Sequence, residues 1–337
     1  MTDDNGALRW GVLGTGGIAH SFMEGLRATP TARVTAVGSR TRERSQEFAA
    51  AWGIPRAHGS YTDLAADPEV DVVYVASPHP WHHPHALLCL NAGKHVLVEK
   101  PMAMNAFQVS EMTAAAADNG VFLMEAMWTR FLPAHRLARE LIADGAIGEL
   151  RQISAEFGVN APYDPDHRLF NADLGGGALL DLGVYPLMLA SWYLGELTLV
   201  GATRRLSPDH MVDTHTTMLV RGEQGATATL SCASLTALPD RAVLAGTEGR
   251  VELPLFWAAT DLVLHREGRE PETFHRPFRA NGYEYEAEEV ARCVAAGLSQ
   301  SPDMPWDESL RLAVLTDRVR DMGGLVYSAP TVKAVPL

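Results

Sequence analysis

Short apolar runs alternate with amphipathic stretches through the first third of the chain. Residues 8–13 (LRWGVL), 33–38 (RVTAVG), 70–76 (VDVVYVA), 95–98 and 121–124 read as strands buried on both faces. Helical stretches separate them at 19–27, 42–51, 83–92 and 106–119, with a short helical turn at 61–66. Glycines or prolines stand at the ends of several of these stretches, as in Trp52-Gly53-Ile54-Pro55 and at Gly93. Strand following helix in this order predicts an α/β fold with a doubly wound parallel sheet.

The pattern changes near residue 125. A helix is expected at 133–144, a long alternating strand at 150–159 and a mostly helical stretch at 175–194. From Leu197 to Phe274 the chain is strand-like. Hairpin turns are expected at Gly222-Glu223-Gln224-Gly225, Thr247-Glu248-Gly249 and Glu267-Gly268-Arg269. Alternation in 227–232 (TATLSC) predicts a sheet with two unlike faces. Helices at 285–296 and 308–322 close the chain. The second half is therefore expected to be α+β around an antiparallel sheet, and the domains to span 1–125 and 126–337.

Composition narrows the function classes. A chain of 337 residues exceeds one ordinary core, and 47% hydrophobic with 20% charged residues is the balance of a soluble globular protein. A formal net charge of -13 argues against nucleic acid or an anionic membrane as partner. The polar start, 1–6, is not expected to be a secretory signal, and no apolar run is read as bilayer-spanning. Three scattered cysteines, Cys89, Cys232 and Cys293, suit a reducing cytoplasm and offer neither a disulfide nor a zinc framework.

Two motifs carry chemistry. Gly14-Thr15-Gly16-Gly17-Ile18-Ala19 follows the first strand and opens a helix, the arrangement that cradles a dinucleotide pyrophosphate on backbone N–H groups. The second strand ends in Gly38-Ser39-Arg40-Thr41, with Arg42 and Arg44 beyond, and no carboxylate stands at its tip. Ser39, Arg40 and Arg44 suit the 2′-phosphate of NADP(H), with the solvated start of a helix as the plainer alternative. Glu99-Lys100-Pro101 follows another strand and puts Lys100 at the carboxyl edge of the sheet, where open α/β folds bind ligands. The stretch 77–85 (SPHPWHHPH) follows a strand too. Ser77, Pro78, His79 and His82 are expected to line the cofactor, since no carboxylate or cysteine set accompanies these histidines toward a metal site. In 175–186 (GGGALLDLGVYP), Asp181 and Tyr185 are four apart and would share a helical face, although a structural aspartate and a core tyrosine fit the residues slightly better.

These residues together resemble the glucose-fructose oxidoreductase and inositol dehydrogenase (Gfo/Idh/MocA) family over nearly the full chain. The shared marks are the glycine loop, Glu99-Lys100-Pro101, Gly176-Gly177-x-Leu179-x-Asp181-x-Gly183 and Ala245-Gly246-Thr247-x-Gly249. The stretches 122–131 (FLMEAMWTRF), 155–158 (AEFG) and 181–185 (DLGVY) look closest to the dimeric dihydrodiol dehydrogenase and NADP-dependent D-xylose dehydrogenase branch. The resemblance implies a Rossmann domain, then a domain with a large open antiparallel sheet that forms a homodimer or homotetramer. It implies catalytic roles for Lys100, Tyr185 and Asp181, and cofactor contacts from Glu99, Trp128 and Arg130. Trp128 and Phe157 would wall the substrate, with Arg168 a further candidate. Tyr185 stands where inositol dehydrogenases carry histidine, which disfavours inositol.

The expected activity is NADP-dependent hydride transfer at a CH–OH or carbonyl group of a sugar or trans-dihydrodiol. The rivals are a deoxysugar ketoreductase acting on a nucleotide sugar, an NAD-dependent glycosidase on the same fold, and a non-catalytic cofactor sensor.

Overall fold

A computed structural model describes residues 7–322 of the chain; the segment 1–6, read above as no secretory signal, lies outside them. Contacts divide the described residues into two compact units. One comprises 7–128 with 279–310, the other 129–278 with 311–322.

In the first unit the five apolar runs and one short segment form six parallel strands: β1 (Leu8–Leu13), β2 (Ala32–Gly38), β3 (Arg56–His58), β4 (Val72–Val75), β5 (His95–Glu99) and β6 (Leu123–Ala126). Their order is β3-β2-β1-β4-β5-β6, so the winding reverses between β1 and β4 and ligands are expected at the carboxyl edge there. Every residue of β4 and β6 is buried, which is why these strands read as unbroken apolar runs. Strand β3 gives no such run, being three half-buried residues at the sheet edge.

This unit also holds the helix Glu284–Ala295, which a single cut near residue 125 would assign to the second half. Its approach to the helix Gly17–Arg27 explains the grouping. Gly25 has no Cβ, and one placed there would meet Tyr283 Cβ at 2.8 Å and Glu284 N at 2.9 Å. Asn281 Nδ2 donates to Ser21 O at 2.8 Å. The Glu284 carboxylate accepts backbone N–H groups from Arg279, Ala280, Asn281 and Gly282 at 3.0, 2.9, 3.3 and 2.7 Å, which fixes the turn into the helix.

The second unit is built on an eight-stranded sheet: β7 (Leu150–Gly158), β8 (Leu197–Leu206), β9 (Asp213–Gly222), β10 (Thr227–Ala233), β11 (Arg241–Gly246), β12 (Gly249–Pro254), β13 (Asp261–Arg266) and β14 (Glu272–His275). The order is β14-β13-β12-β11-β7-β10-β9-β8. All three hairpin turns expected from the sequence join neighbouring strands. The sheet departs from pure antiparallel pairing at one seam, where β7 and β10 run parallel with Ala155 opposite Leu230. The long segment after β7 makes this possible, because β8 starts at the far edge and the chain returns inward through β9 to β10.

The helix Val184–Leu194 has nine buried residues, consistent with its uniformly apolar sequence, and packs on β7 and β10. With the turns before it, the helical run Ala172–Leu194 is long and apolar enough to cross a membrane by length and composition, which corrects the expectation that no run reaches that length. The glycines at 175–177 hide its continuity in the sequence. In the structure 94% of its apolar window is buried, the state of a core helix.

Candidate active site

The first unit gathers its candidate residues at the carboxyl ends of its strands. Gly14 ends β1 with φ +104°, and a Cβ there would lie 2.8 Å from Ala76 O, so only glycine fits. Gly16 caps the helix Gly17–Arg27 without a side-chain hydrogen bond, and added Cβ atoms at Gly16 and Gly17 would meet nothing within 4 Å among the described residues. Space is thus left open above uncapped helical N–H groups. Thr15 and Ile18 flank that space half-buried, and the cradle suits a pyrophosphate.

At the β2 tip Ser39 is buried and its N–H donates to His58 O at 3.2 Å, whereas Arg40 is exposed. Thr41 Oγ1 caps the next helix by accepting from Arg44 N, and the Arg44 side chain is exposed. The tip fits a phosphorylated ribose, with exposed guanidinium groups and no carboxylate in 38–42.

After β4, Ser77 is buried and Pro78 exposed, and the histidines that follow go separate ways. His82 is buried with Nδ1 2.8 Å from Pro101 O and Nε2 2.7 Å from Ser77 O, so it ties the β4 loop to the segment after β5. Burial, helped by the Lys100 charge, lowers its pKa to about 4 against the pull of the two carbonyls, and the ring is neutral at pH 7. His79 packs edge-on to it at 5.6 Å, and His83 Nε2 faces Glu111 at 3.0 Å. Among the described residues no three His, Cys, Asp or Glu side chains gather for a metal.

Strand β5 delivers Glu99 and half-buried Lys100 to the same edge. Glu99 Oε1 accepts from Tyr74 Oη at 2.5 Å and Oε2 accepts from Lys100 N at 3.1 Å, so the carboxylate fixes the backbone that carries the lysine. Glu125 Oε1 accepts from Met102 N at 2.9 Å just beyond. Trp128 stacks on Tyr283, ring centroids 4.7 Å apart.

The second unit carries the other candidates. Asp181 and Tyr185 are both buried. They do not share a regular α-helix, because Leu179–Gly183 is wound as a wider π turn before the helix Val184–Leu194 begins. Pro186 lacks the N–H that an α-helix would give to Leu182 O, which accounts for the break. Asp213, buried in β9, accepts from Leu179 N at 2.9 Å and Thr216 Oγ1 at 2.7 Å, anchoring the start of that turn. Gly176 lies where a Cβ would be 2.7 Å from Arg168 O, so the glycine run seats the loop that carries Arg168. The Arg168 guanidinium donates to Asp181 Oδ1 at 3.1 Å from an otherwise exposed position. Phe157, from β7, packs edge-on against Tyr185 and flat against Trp257. Arg130 is buried with its guanidinium 4.8 Å from the Trp192 ring centroid.

Sequence reading missed Tyr74, Trp257 and Glu286. Glu286 is fully buried, and neither carboxyl oxygen has a hydrogen-bond partner among the described residues. Burial, with the Glu99 charge adding to it, holds its carboxyl well above the usual range. The only signal in the sequence was an acidic residue on the apolar face of a helix.

Comparisons with known proteins fit this picture. Residues 8–127 match the GFO_IDH_MocA oxidoreductase family with its NAD-binding Rossmann fold, and residues 135–252 match the GFO/IDH/MocA C-terminal domain. The chain is 39% identical to trans-1,2-dihydrobenzene-1,2-diol dehydrogenase of Mus musculus, covering 95% of this chain and 98% of that protein. It is 40% identical to the Danio rerio protein of the same name, over 96% and 98%. Among solved structures, a 3-ketoreductase from Actinomadura kijaniata in complex with NADP and TDP-benzene superposes with TM-score 0.85 at 33% identity, over 94% of this chain and 97% of that one. Aldose-aldose oxidoreductase from Caulobacter crescentus, complexed with glycerol, gives 0.86 at 27% identity, over 94% and 98%.

Proposed function

Because the chain belongs to the Gfo/Idh/MocA oxidoreductase family, we propose that it is an NADP-dependent dehydrogenase or reductase of a sugar or trans-dihydrodiol. The observation that carries this reading is a single sheet edge bearing the open glycine cradle, the carboxylate-free Ser39-Arg40 tip and Lys100. A bound nicotinamide supplies or accepts the hydride. The protein's part is to bind both molecules and to move one proton.

Tyr185 exchanges that proton with the substrate oxygen. A free tyrosine has a pKa of about 10, so it needs a nearby cation to act near neutrality, and Lys100 has that role in this reading. Asp181 orients a substrate hydroxyl or the lysine, and Arg168 holds Asp181 in place. Trp128 and Phe157 offer apolar ring surface to the substrate. Glu99, His79, His82 and Arg130 belong to the cofactor set. A homodimer or homotetramer through the outer face of the β7–β14 sheet, where Leu219 is exposed, and a cytoplasmic location complete the proposal.

A ketoreductase acting on a nucleotide-linked ketosugar is the second reading, favoured by the likeness to the TDP-benzene-bound 3-ketoreductase. Fluorescence titration with NADPH and NADH, followed by turnover assays on aldoses, dihydrodiols and a TDP-ketosugar, tests both. Tighter NADPH binding and turnover of an aldose or dihydrodiol support the first reading, and turnover of the TDP-ketosugar alone supports the second. Binding of neither cofactor contradicts both.

A further inference from the structure

Beside the β2 tip, three aromatic residues outside the assigned set come together within the first unit. Tyr61 opens the short helix after β3 and His85 lies in the helix His82–Asn91. Their rings meet edge to face, centroids 4.5 Å apart and planes at 62°. Trp81 stacks on the same imidazole at 5.8 Å and 20°.

The polarity of this cluster is unspent. His85 Nδ1 is buried with no hydrogen-bond partner among the described residues. A buried N–H without an acceptor is disfavoured, so the ring proton belongs on Nε2, which leaves a donor on the other side of the ring. The ionisable groups acting on the cluster are two arginines and a neighbouring histidine. Arg40 and His82 act on His85, while Arg40 and Arg44 act on Tyr61. Burial first, then His82 and Arg40, lower the His85 pKa to about 4, so the imidazole is neutral at pH 7 before any ligand arrives. Aromatic rings next to exposed guanidinium groups, with a spare imidazole donor, match a planar base carrying a neighbouring phosphate.

We infer that Tyr61, Trp81 and His85 form, with Arg40, a specificity site for the phosphorylated adenosine end of NADP(H), in which His85 and Arg40 hold the 2′-phosphate. This rests on the NADP reading above and adds residues that reading does not assign. The phosphate opposes the effects that keep His85 neutral, because an adjacent dianion favours the imidazolium. Binding of NADPH then takes up a proton at His85 in the range between its free and bound pKa values. Affinity rises as pH falls through that range.

The test is equilibrium fluorescence titration of NADPH and NADH on the wild type, His85→Phe and His85→Gln across the pH range 6 to 8. His85→Phe keeps a ring and loses the donor. It is expected to weaken NADPH about tenfold and leave NADH within about twofold. His85→Gln keeps a donor that cannot charge, so it should retain most NADPH affinity yet lose the extra pH dependence. The slope that remains is that of the phosphate itself. A wild-type preference for NADPH that survives His85→Phe undiminished overturns this proposal alone. Equal weakening of both cofactors also overturns it, since that is the signature of a merely structural cluster. A wild type that binds neither cofactor overturns the cofactor reading and this proposal with it.

Discussion

The Phe157 ring stands edge-on to Tyr185, centroids 5.5 Å apart at 64°, while its face lies on Trp257 at 5.0 Å and 6°. The tyrosine proposed to move the proton is thus held by an aromatic stack that spans β7 and the loop before β13.

Replacing Phe157 by Leu keeps most of the buried volume and removes the edge-to-face contact, worth about 0.5–1.5 kcal/mol beyond area. The expected result is a modest fall in Tm and a several-fold loss of kcat, with NADPH affinity unchanged. Thermal denaturation and steady-state kinetics on the same preparation check both.

Glu286→Gln is expected to stabilise the protein. The folded-state pKa of this buried carboxyl lies well above its unfolded value, so the unfolded chain gives up the proton first as pH rises. Below the unfolded pKa of about 4.3 both states are protonated and wild type and variant should be equally stable. Above it the wild type loses stability relative to the variant by about 1.4 kcal/mol per pH unit, until the folded-state pKa is reached. Urea unfolding at pH 4 and pH 7 measures the gap, and a gap that shrinks with rising pH contradicts the assignment.

Gly14→Ala meets two obstacles together, a φ of +104° and a carbonyl oxygen 2.8 Å from the new Cβ. Strain of about 1–3 kcal/mol at this position would displace the turn proposed to face the cofactor. The expectation is that NADPH binding is lost or weakened at least tenfold in a protein that still folds, as read by titration alongside circular dichroism.

The Rossmann strands were legible because β1, β2, β4, β5 and β6 are apolar runs bounded by glycine or polar turns. Strand β3 was not, since Arg56–His58 is short and half-buried and its pairing with β2 is set by distant residues. The hairpins of the second unit were legible from their turns, whereas the parallel seam between β7 and β10 joins segments about 75 residues apart, which no local pattern encodes. Within the candidate site, Lys100 and the glycine loop announced themselves through a strand running into a turn at the carboxyl edge of the sheet. The π turn at Leu179–Gly183 did not, because the spacing of Asp181 and Tyr185 reads equally well as ordinary helix. Tyr74, Trp257 and Glu286 matter through partners far along the chain, so their parts emerge only once the chain is folded.

Tyr185 is proposed to carry the proton while the first unit holds the cofactor. Tyr185→Phe removes only the hydroxyl. Turnover of whichever aldose, dihydrodiol or TDP-ketosugar the wild type accepts should collapse by about 100-fold or more, the scale of a lost general acid–base, with NADPH affinity within about twofold of wild type. A Tyr185→Phe enzyme that turns over at the wild-type rate contradicts the role proposed for Tyr185.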